Sequence, residues 1–371
     1  MSGPAAALVA VVLFLHAGVL GVVAVNLWSF RRNRPRGGAE GPVRVSVLVP
    51  ARNEEANLQT LLPSLLAQRG IVFEVVVVDD ASEDGTWAVL ERSADPRLVA
   101  VRSAGPPVGW VGKTHALHTA AARASGSVFV FLDADAALRD PDALGRVVGR
   151  WQRQGGPGTA LTGMPHYLDR GPAALLTGLV PFAVVAGLPV PLVHRTANPA
   201  LSALNGQVWA VGADDYRRLA PHEAHAAEVL EDVMIGRFLK RSGIRLHLVD
   251  LQGEVAVRMY GSFGEAWRGF RKNAYLLGGG RPGRFAAFFA LYTLVWVAPS
   301  VLWALGPAGL APLATLVVAK GLIDRWQGLP LWTTLCAPLV LALGAALQLD
   351  SALAHARGRV AWKGREVGGG P

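Results

Sequence analysis

Two aspartates, one residue apart, close the apolar run FVFLDADAAL at Phe129–Leu138. A carboxylate at a strand-to-helix turn can cap free backbone N–H groups. The same pair, Asp133 and Asp135, can also hold a divalent cation against a diphosphate. Hard cations prefer oxygen ligands, and Mg²⁺ commonly takes one or two carboxylates plus phosphate oxygens. Three further stretches offer carboxylates: VPARNEE presents Glu54, VVDDASEDGT presents Asp80, and EVLEDVMIG carries the adjacent Glu231 and Asp232. Each has a plain structural reading, as a first-turn helix residue, a capped turn and an exposed acidic pair on an amphipathic helix. Lys113, which opens KTHAL, is by itself a surface charge at a helix start.

The elements that must carry these residues alternate. VRVSVLVPA and FEVVVVDDA read as buried strands, with NEEANLQTLLPSLLAQ at helical spacing between them. A helix over Asp84–Ala94, a strand RLVAVR, a helix KTHALHTAAARAS and the strand SVFVFLD follow. Strands alternating with helices predict an α/β domain with a mainly parallel sheet covered on both faces. Ligands of such sheets bind at the C-terminal strand ends. Glu54, Asp80, Asp133 and Asp135 should therefore gather along one rim. Four carboxylates on one rim call for a cation or a hydroxyl-rich ligand. Neither a Walker-type glycine loop nor a GxGxxG follows the first strand, so a nucleotide there is not held in P-loop or dinucleotide-fold fashion.

Composition places this domain beside a membrane. Of 371 residues, 51% are hydrophobic and only 17% charged, too greasy for a wholly soluble enzyme. Ala5–Phe30 carries no charged side chain and precedes RRNRPR. A signal peptide would have a shorter apolar core and basic residues before it. We read an uncleaved anchor over residues 1–30, with the N-terminus outside and the chain from Arg31 in the cytoplasm. Phe285–Leu305 and Leu331–Leu349 are apolar runs of spanning length. Leu310–Ile323 is shorter and interrupted by Pro312 and Lys320. It reads as either a third crossing or an interfacial piece. The basic tail HARGRVAWKGRE favours a cytoplasmic C-terminus and hence the interfacial reading. The expected organisation is an anchor (1–30), a catalytic domain (31–280) and a C-terminal membrane region of two or three helices (281–371). The expected localisation is the inner cell membrane, multi-pass, with the catalytic domain cytoplasmic. The net charge of +9 sits largely in juxtamembrane clusters, which suits anionic lipid rather than nucleic acid. The single cysteine, Cys336, excludes a disulfide framework.

VSVLVPARNEEANLQTLLPSLLAQ, VVVVDDASEDGT, GWVGKTHAL, FVFLDADAAL and VLEDVMIGRFLKRSG resemble the successive motifs of family 2 glycosyltransferases with the GT-A fold. The likeness spans most of Val43–Asp250. GWVGK, NGQ and the terminal AWKGR, with flanking membrane segments, are similar to bacterial hopanoid-associated and carotenoid glycosyltransferases. The resemblance implies that Pro50, Ala51 and Glu54 border the nucleoside pocket and that Asp80 accepts from the base or ribose. It implies Lys113 near the diphosphate, Asp133 near the ribose or sugar, and Asp133 with Asp135 at Mg²⁺ or Mn²⁺. Asn205, Gly206 and Gln207 would line the acceptor side. Glu231 would also contact substrate, and Asp232 would be the general base on the acceptor, with His222 and His225 ranked behind it. FGEAWRGFRKNAY sets Phe263, Trp267, Phe270 and Ala274 on one helical face, beside Arg268, Arg271 and Lys272. That is a membrane-surface pattern. Processive family members carry Gln/Arg-x-x-Arg-Trp at this place. Arg268 and Arg271 keep the spacing as substrate-binding residues, but the tryptophan is missing, which counts against a polymer synthase. Leu175–His194 is apolar but broken by prolines and glycines, a core segment or a patch that dips into the membrane.

The sequence thus predicts an inverting, metal-dependent transferase that moves a hexose from a nucleotide-sugar donor, UDP-glucose being the expected one, to a lipid acceptor such as a carotenoid or hopanoid. A hydroxyl acceptor is expected, because an acidic pair is useful where a proton must be removed. Alternatives are a polyprenyl-phosphate glycosyltransferase and a catalytically inactive membrane scaffold. A nucleotidyltransferase would want an N-terminal Gly-rich basic loop and no anchors.

Overall fold

In the computed structural model, which describes residues 3–34, 37–358, 361–362 and 365–366, the apolar runs of the first half become neighbouring strands. Pro35 and Arg36 of the basic stretch after the anchor, and Lys363 and Gly364 of the tail, lie outside the described residues. The chain divides into two compact units. One comprises Phe30–Leu168 and Leu192–Arg258, the other Met1–Ser29, Asp169–Pro191 and Met259–Pro371.

The first unit is built on a seven-stranded sheet. Its strands are β1 (Arg44–Ala51), β2 (Val72–Asp80), β3 (Leu98–Ser103), β4 (Val128–Leu132), β6 (Thr159–Met164), β8 (Val208–Gly212) and β9 (Arg245–Asp250). Their order is β3-β2-β1-β4-β8-β6-β9. β2, β1 and β4 are buried almost throughout, as parallel strands covered on both faces must be. The mainly parallel α/β sheet predicted from the alternation is present, but it is mixed. β8 runs antiparallel to both β4 and β6. Chain order reverses at β1, which pairs with β2 on one side and β4 on the other. The crevice for a ligand therefore opens where β1 and β4 end.

Helices α2 (Glu55–Leu66), α3 (Thr86–Arg92), α4 (Gly112–Arg123), α5 (Ala143–Arg153), α9 (Ala213–Leu219), α10 (Pro221–Ala224) and α11 (Glu231–Arg241) complete the unit. α2 buries Leu58, Leu61, Leu62 and Leu65, one stripe at helical spacing. α3 is shorter than the expected Asp84–Ala94. Asp84 stays outside, its Oδ1 accepting from the Thr86 N–H at 3.0 Å. The core beside the site is aromatic: Phe131 and Trp209 stack at 4.1 Å between centroids, with Tyr216 and His222 packed against them. A small second sheet, β5 (Ala136–Leu138), β10 (Val255–Val257) and β7 (His166–Tyr167), lies in the order β5-β10-β7.

The second unit is helical: α1 (Gly3–Arg32), α6 (Ala173–Thr177), α7 (Leu179–Gly187), α12 (Phe263–Leu277), α13 (Pro282–Tyr292), α14 (Leu310–Gln327), α15 (Leu331–Leu335) and α16 (Ala337–Ala356). The short α8 (Val190–Arg195) runs across its boundary. Among the described residues three stretches are long and apolar enough to cross a membrane: Gly3–Arg32, Pro307–Gln327 and Ala337–Ala356. This corrects the sequence reading at one run and bears on the alternatives left open at another. Phe285–Leu305 is not one helix. After α13 it passes through a π turn at Thr293–Val297 and short 3₁₀ turns around Pro299. Leu310–Ile323, in contrast, belongs to a continuous helix. Pro312 sits in its first turn, where proline is tolerated. Lys320 is buried and pairs with Asp324 one turn on, so its charge does not interrupt the segment.

Polar side chains tie α1 into this unit. Buried Asn26 donates to the Val185 and Leu188 carbonyls at 2.8 and 2.7 Å and accepts from the Val190 N–H at 2.9 Å. It thereby satisfies backbone groups freed at the α7–α8 break. His16 reaches the Thr315 hydroxyl and the Val295 carbonyl.

Candidate active site

The turn after β4 is held by its backbone. The Asp133 N–H donates to the Gln207 carbonyl, the Ala136 N–H donates to the Asp133 carbonyl, and the Arg258 N–H donates to the Asp135 carbonyl, at 3.1, 3.1 and 3.0 Å. Both aspartates are thus fixed where the switch-point crevice opens. Lys113, in the first turn of α4, brings its ammonium within 2.8 and 2.9 Å of the two Asp133 oxygens and 3.1 Å of Glu231 Oε1. Glu231 and Asp232 open α11, where the helix dipole favours negative charge. Asp232 Oδ1 accepts from the Val233 N–H at 2.8 Å and Oδ2 from the Gly206 N–H at 3.3 Å. A Cβ on Gly206 would lie only 3.2 Å from both Asp232 Cβ and Lys113 Nζ. A larger residue there would press on both side chains.

Charge and burial set this cluster's protonation. Burial disfavours the Lys113 ammonium, but Asp133, then Glu231 and Asp232, outweigh it and hold it above the ordinary lysine range. Asp232 moves the other way. Burial, reinforced by the neighbouring Glu231, pushes it up to about 6, against the pull of Lys113 and the two N–H donors. The site therefore holds a fixed cation beside a carboxylate poised near neutrality, a value that suits proton transfer.

Pro50 and Ala51 end β1, in register with Val78 and Asp79. Glu54 precedes α2. Its N–H donates to the Thr86 hydroxyl at 2.8 Å and its carboxylate accepts from Asn57. Asp80 ends β2, and its carbonyl accepts from Arg52 at 2.8 Å. Arg52 also donates to the Ala81 carbonyl and pairs with Glu83 at 3.3 Å. This buried arginine staples the loops after β1 and β2, a role its place in PARNEE does not announce. The structure brings Lys113, Asp133, Asn205, Gly206, Gln207, Glu231 and Asp232 into one contact network. Glu54, Asp80 and Asp135 lie at strand ends of the same sheet edge. Arg268 and Arg271 belong to the helical unit, on α12, where Arg271 is 3.4 Å from Asp350. His222 is buried, bonded to the Tyr216 hydroxyl at 2.8 Å, and lowered to about 3 by burial. It is a neutral core histidine. His225 donates to the Pro221 carbonyl.

Among the described residues no three His, Cys, Asp or Glu side chains gather to enclose a metal by themselves. Mg²⁺ commonly completes its shell with water and phosphate oxygens. Asp133 and Asp135 would supply hard carboxylate oxygens of the kind such an ion prefers, although both Asp133 oxygens are here paired with the Lys113 ammonium.

Residues 46–174 match the family model described as Glycosyl transferase family 2. The chain is 28% identical over 249 residues to 4,4'-diaponeurosporenoate glycosyltransferase of Staphylococcus haemolyticus, covering 67% of this chain and 64% of that protein. The protein of the same name from Staphylococcus aureus is 25% identical over 249 residues, covering 67% of this chain and 65% of that protein. The match spans just under two thirds of these relatives' length. Among solved structures, the mannosyltransferase PcManGT from Pyrobaculum calidifontis, in complex with GDP-Man and Mn²⁺, aligns with a TM-score of 0.53. It is 22% identical, and the alignment covers 94% of this chain and 99% of that one. At that identity the likeness is one of fold: the α/β unit is GT-A-like.

Proposed function

We propose that this chain is an inverting glycosyltransferase that moves a hexose from a nucleotide sugar, UDP-glucose being our candidate, to a lipid in the bilayer. The observation that carries this reading is the Lys113–Asp133–Glu231–Asp232 cluster at the switch point of a family 2 domain. Pro50, Ala51, Glu54 and Asp80 would border the nucleoside, and Lys113 would meet the diphosphate. A divalent cation held by Asp133 and Asp135 would add positive charge against the departing diphosphate. Asp232, with its raised proton affinity, would take the proton of an acceptor hydroxyl. The relatives' name denotes a carotenoid acid, which supports a carotenoid-like lipid acceptor; a hopanoid is the other candidate. A carboxylate acceptor, already ionised at pH 7, would need no base.

Three membrane-length helices and the basic residues after α1 support a multi-pass protein of the inner membrane, with residues 31–280 in the cytoplasm, an anchor over 1–30 and a membrane region over 281–371. Arg268 and Arg271, on the amphipathic α12, would then lie near the bilayer surface and contact substrate. The test is transfer of labelled hexose from UDP-glucose and GDP-mannose into the lipid phase of membranes containing the protein. Label in lipid is expected with wild type; with Asp232→Asn it should fall about a hundredfold for a hydroxyl acceptor and far less for a carboxylate one. No transfer from any nucleotide sugar would overturn the reading.

A further inference from the structure

The side-chain amides beside the site leave no freedom of orientation. Asn205 faces the Gly163 carbonyl at 3.1 Å, an acceptor only, so its NH₂ points there. Its oxygen accepts from the Gln207 N–H, also at 3.1 Å. That same NH₂ stands 3.4 Å from the Gln207 side chain, which must present its oxygen in return. The Tyr167 hydroxyl donates to that oxygen at 3.1 Å. Tyr167 is 1% exposed and Gln207 8%. Both lone pairs of Gln207 Oε1 are taken. The Gln207 NH₂ is turned away from both partners, and among the described residues nothing accepts from it.

The frame around this relay is tied to the aspartate turn. Tyr167 lies on β7, in register with Val257 of β10, and Val257 is in register with Ala136, the residue after Asp135. The Gln207 carbonyl accepts the Asp133 N–H. One small sheet thus fixes the turn after β4 and the tyrosine together.

We propose that Tyr167 is a positioning residue: with Asn205 it locks the Gln207 amide so that Gln207 offers a bound ligand two N–H donors and no acceptor. The group it reads is an oxygen with free lone pairs, from either the donor sugar or the lipid acceptor. This rests on the glycosyltransferase reading for its ligand, though not for the relay itself.

The test is a double-mutant cycle of Tyr167→Phe and Gln207→Met on the full-length protein in membranes. Tyr167→Phe keeps the ring in its core site and removes only the hydroxyl. Loss of one neutral hydrogen bond, with the amide partly freed to flip, should lower kcat/KM about three- to tenfold. The loss should appear as a raised KM for one substrate, nucleotide sugar or lipid, with kcat little changed. That substrate carries the oxygen. In the Gln207→Met background the tyrosine change should cost nothing further. Equal cost in both backgrounds, or no cost in either, would overturn the proposal. If wild type transfers no sugar, the glycosyltransferase reading fails. The relay is then judged by the same cycle on thermal unfolding, where additive shifts in Tm would overturn it.

Discussion

Replacing Lys113 by methionine keeps most of the side chain's volume and removes the one cation shown to bridge Asp133 and Glu231, at 2.8 and 3.1 Å. Asp232 feels the same ammonium, which now holds its proton affinity down. A nearby opposite charge shifts a carboxylate pKa by roughly 1–3, so removing Lys113 should raise that of Asp232 by about one to two. The sign is fixed: with less positive charge nearby, the anion is disfavoured and the base forms only at higher pH. Wild-type kcat should rise with pH along an acid limb near 6. In Lys113→Met the limb should move up by about 1.5 units. At pH 6.5 the ionised fraction would then fall from roughly three quarters to about a tenth, an eightfold loss from this cause alone. A further loss that persists on the high-pH plateau would measure the missing charge at the diphosphate. The assay is kcat at saturating substrates from pH 5 to 9. An acid limb that stays in place or moves down would refute the electrostatic reasoning and remove Asp232 as base.

Asp232→Asn should lower transfer to a hydroxyl acceptor by about two orders of magnitude or more while leaving nucleotide-sugar affinity nearly unchanged. The same change should stabilise the fold at pH 7. Asp232 binds its proton more tightly in the fold than in the unfolded chain, so stability falls as pH rises from about 4 through about 6, and the neutral amide escapes that loss, a gain of about 1–2 kcal/mol after one lost hydrogen bond. Calorimetry at pH 5 and 7 checks it; an equal effect at both values would count against a raised Asp232. Asp135→Ala should cost orders of magnitude in rate, and excess EDTA should abolish activity until Mg²⁺ or Mn²⁺ is restored. Full activity in EDTA would exclude the metal. A reporter inserted within residues 37–41 should behave as cytoplasmic, and periplasmic activity there would reverse the topology.

The rim was legible because its signals are local. β1, β2 and β4 are continuous apolar runs, each ending at a turn that carries a carboxylate. That is how parallel strands buried on both faces must read. What the sequence hides is whatever depends on distant partners. Lys113 looks like a lone surface charge until Asp133 and Glu231, far along the chain, are folded around it. Tyr167 sits in a two-residue strand that no periodicity can reveal, and the role proposed for it depends on Asn205 and Gln207. β8, which breaks the parallel pattern, enters only after a long excursion from β4. The membrane helices fail in the same physical way. Hydropathy averages over a window, so it cannot register that Phe285–Leu305 breaks its backbone pattern at Val297–Pro299. Nor can it register that Lys320 is neutralised by Asp324. In both units a charge looked disruptive or incidental in one dimension and proved to be paired in three. The lone lysine and the interrupted helix are thus ambiguous in sequence for one reason: the cost of a charge is set by its partner, and the partner is supplied by the fold.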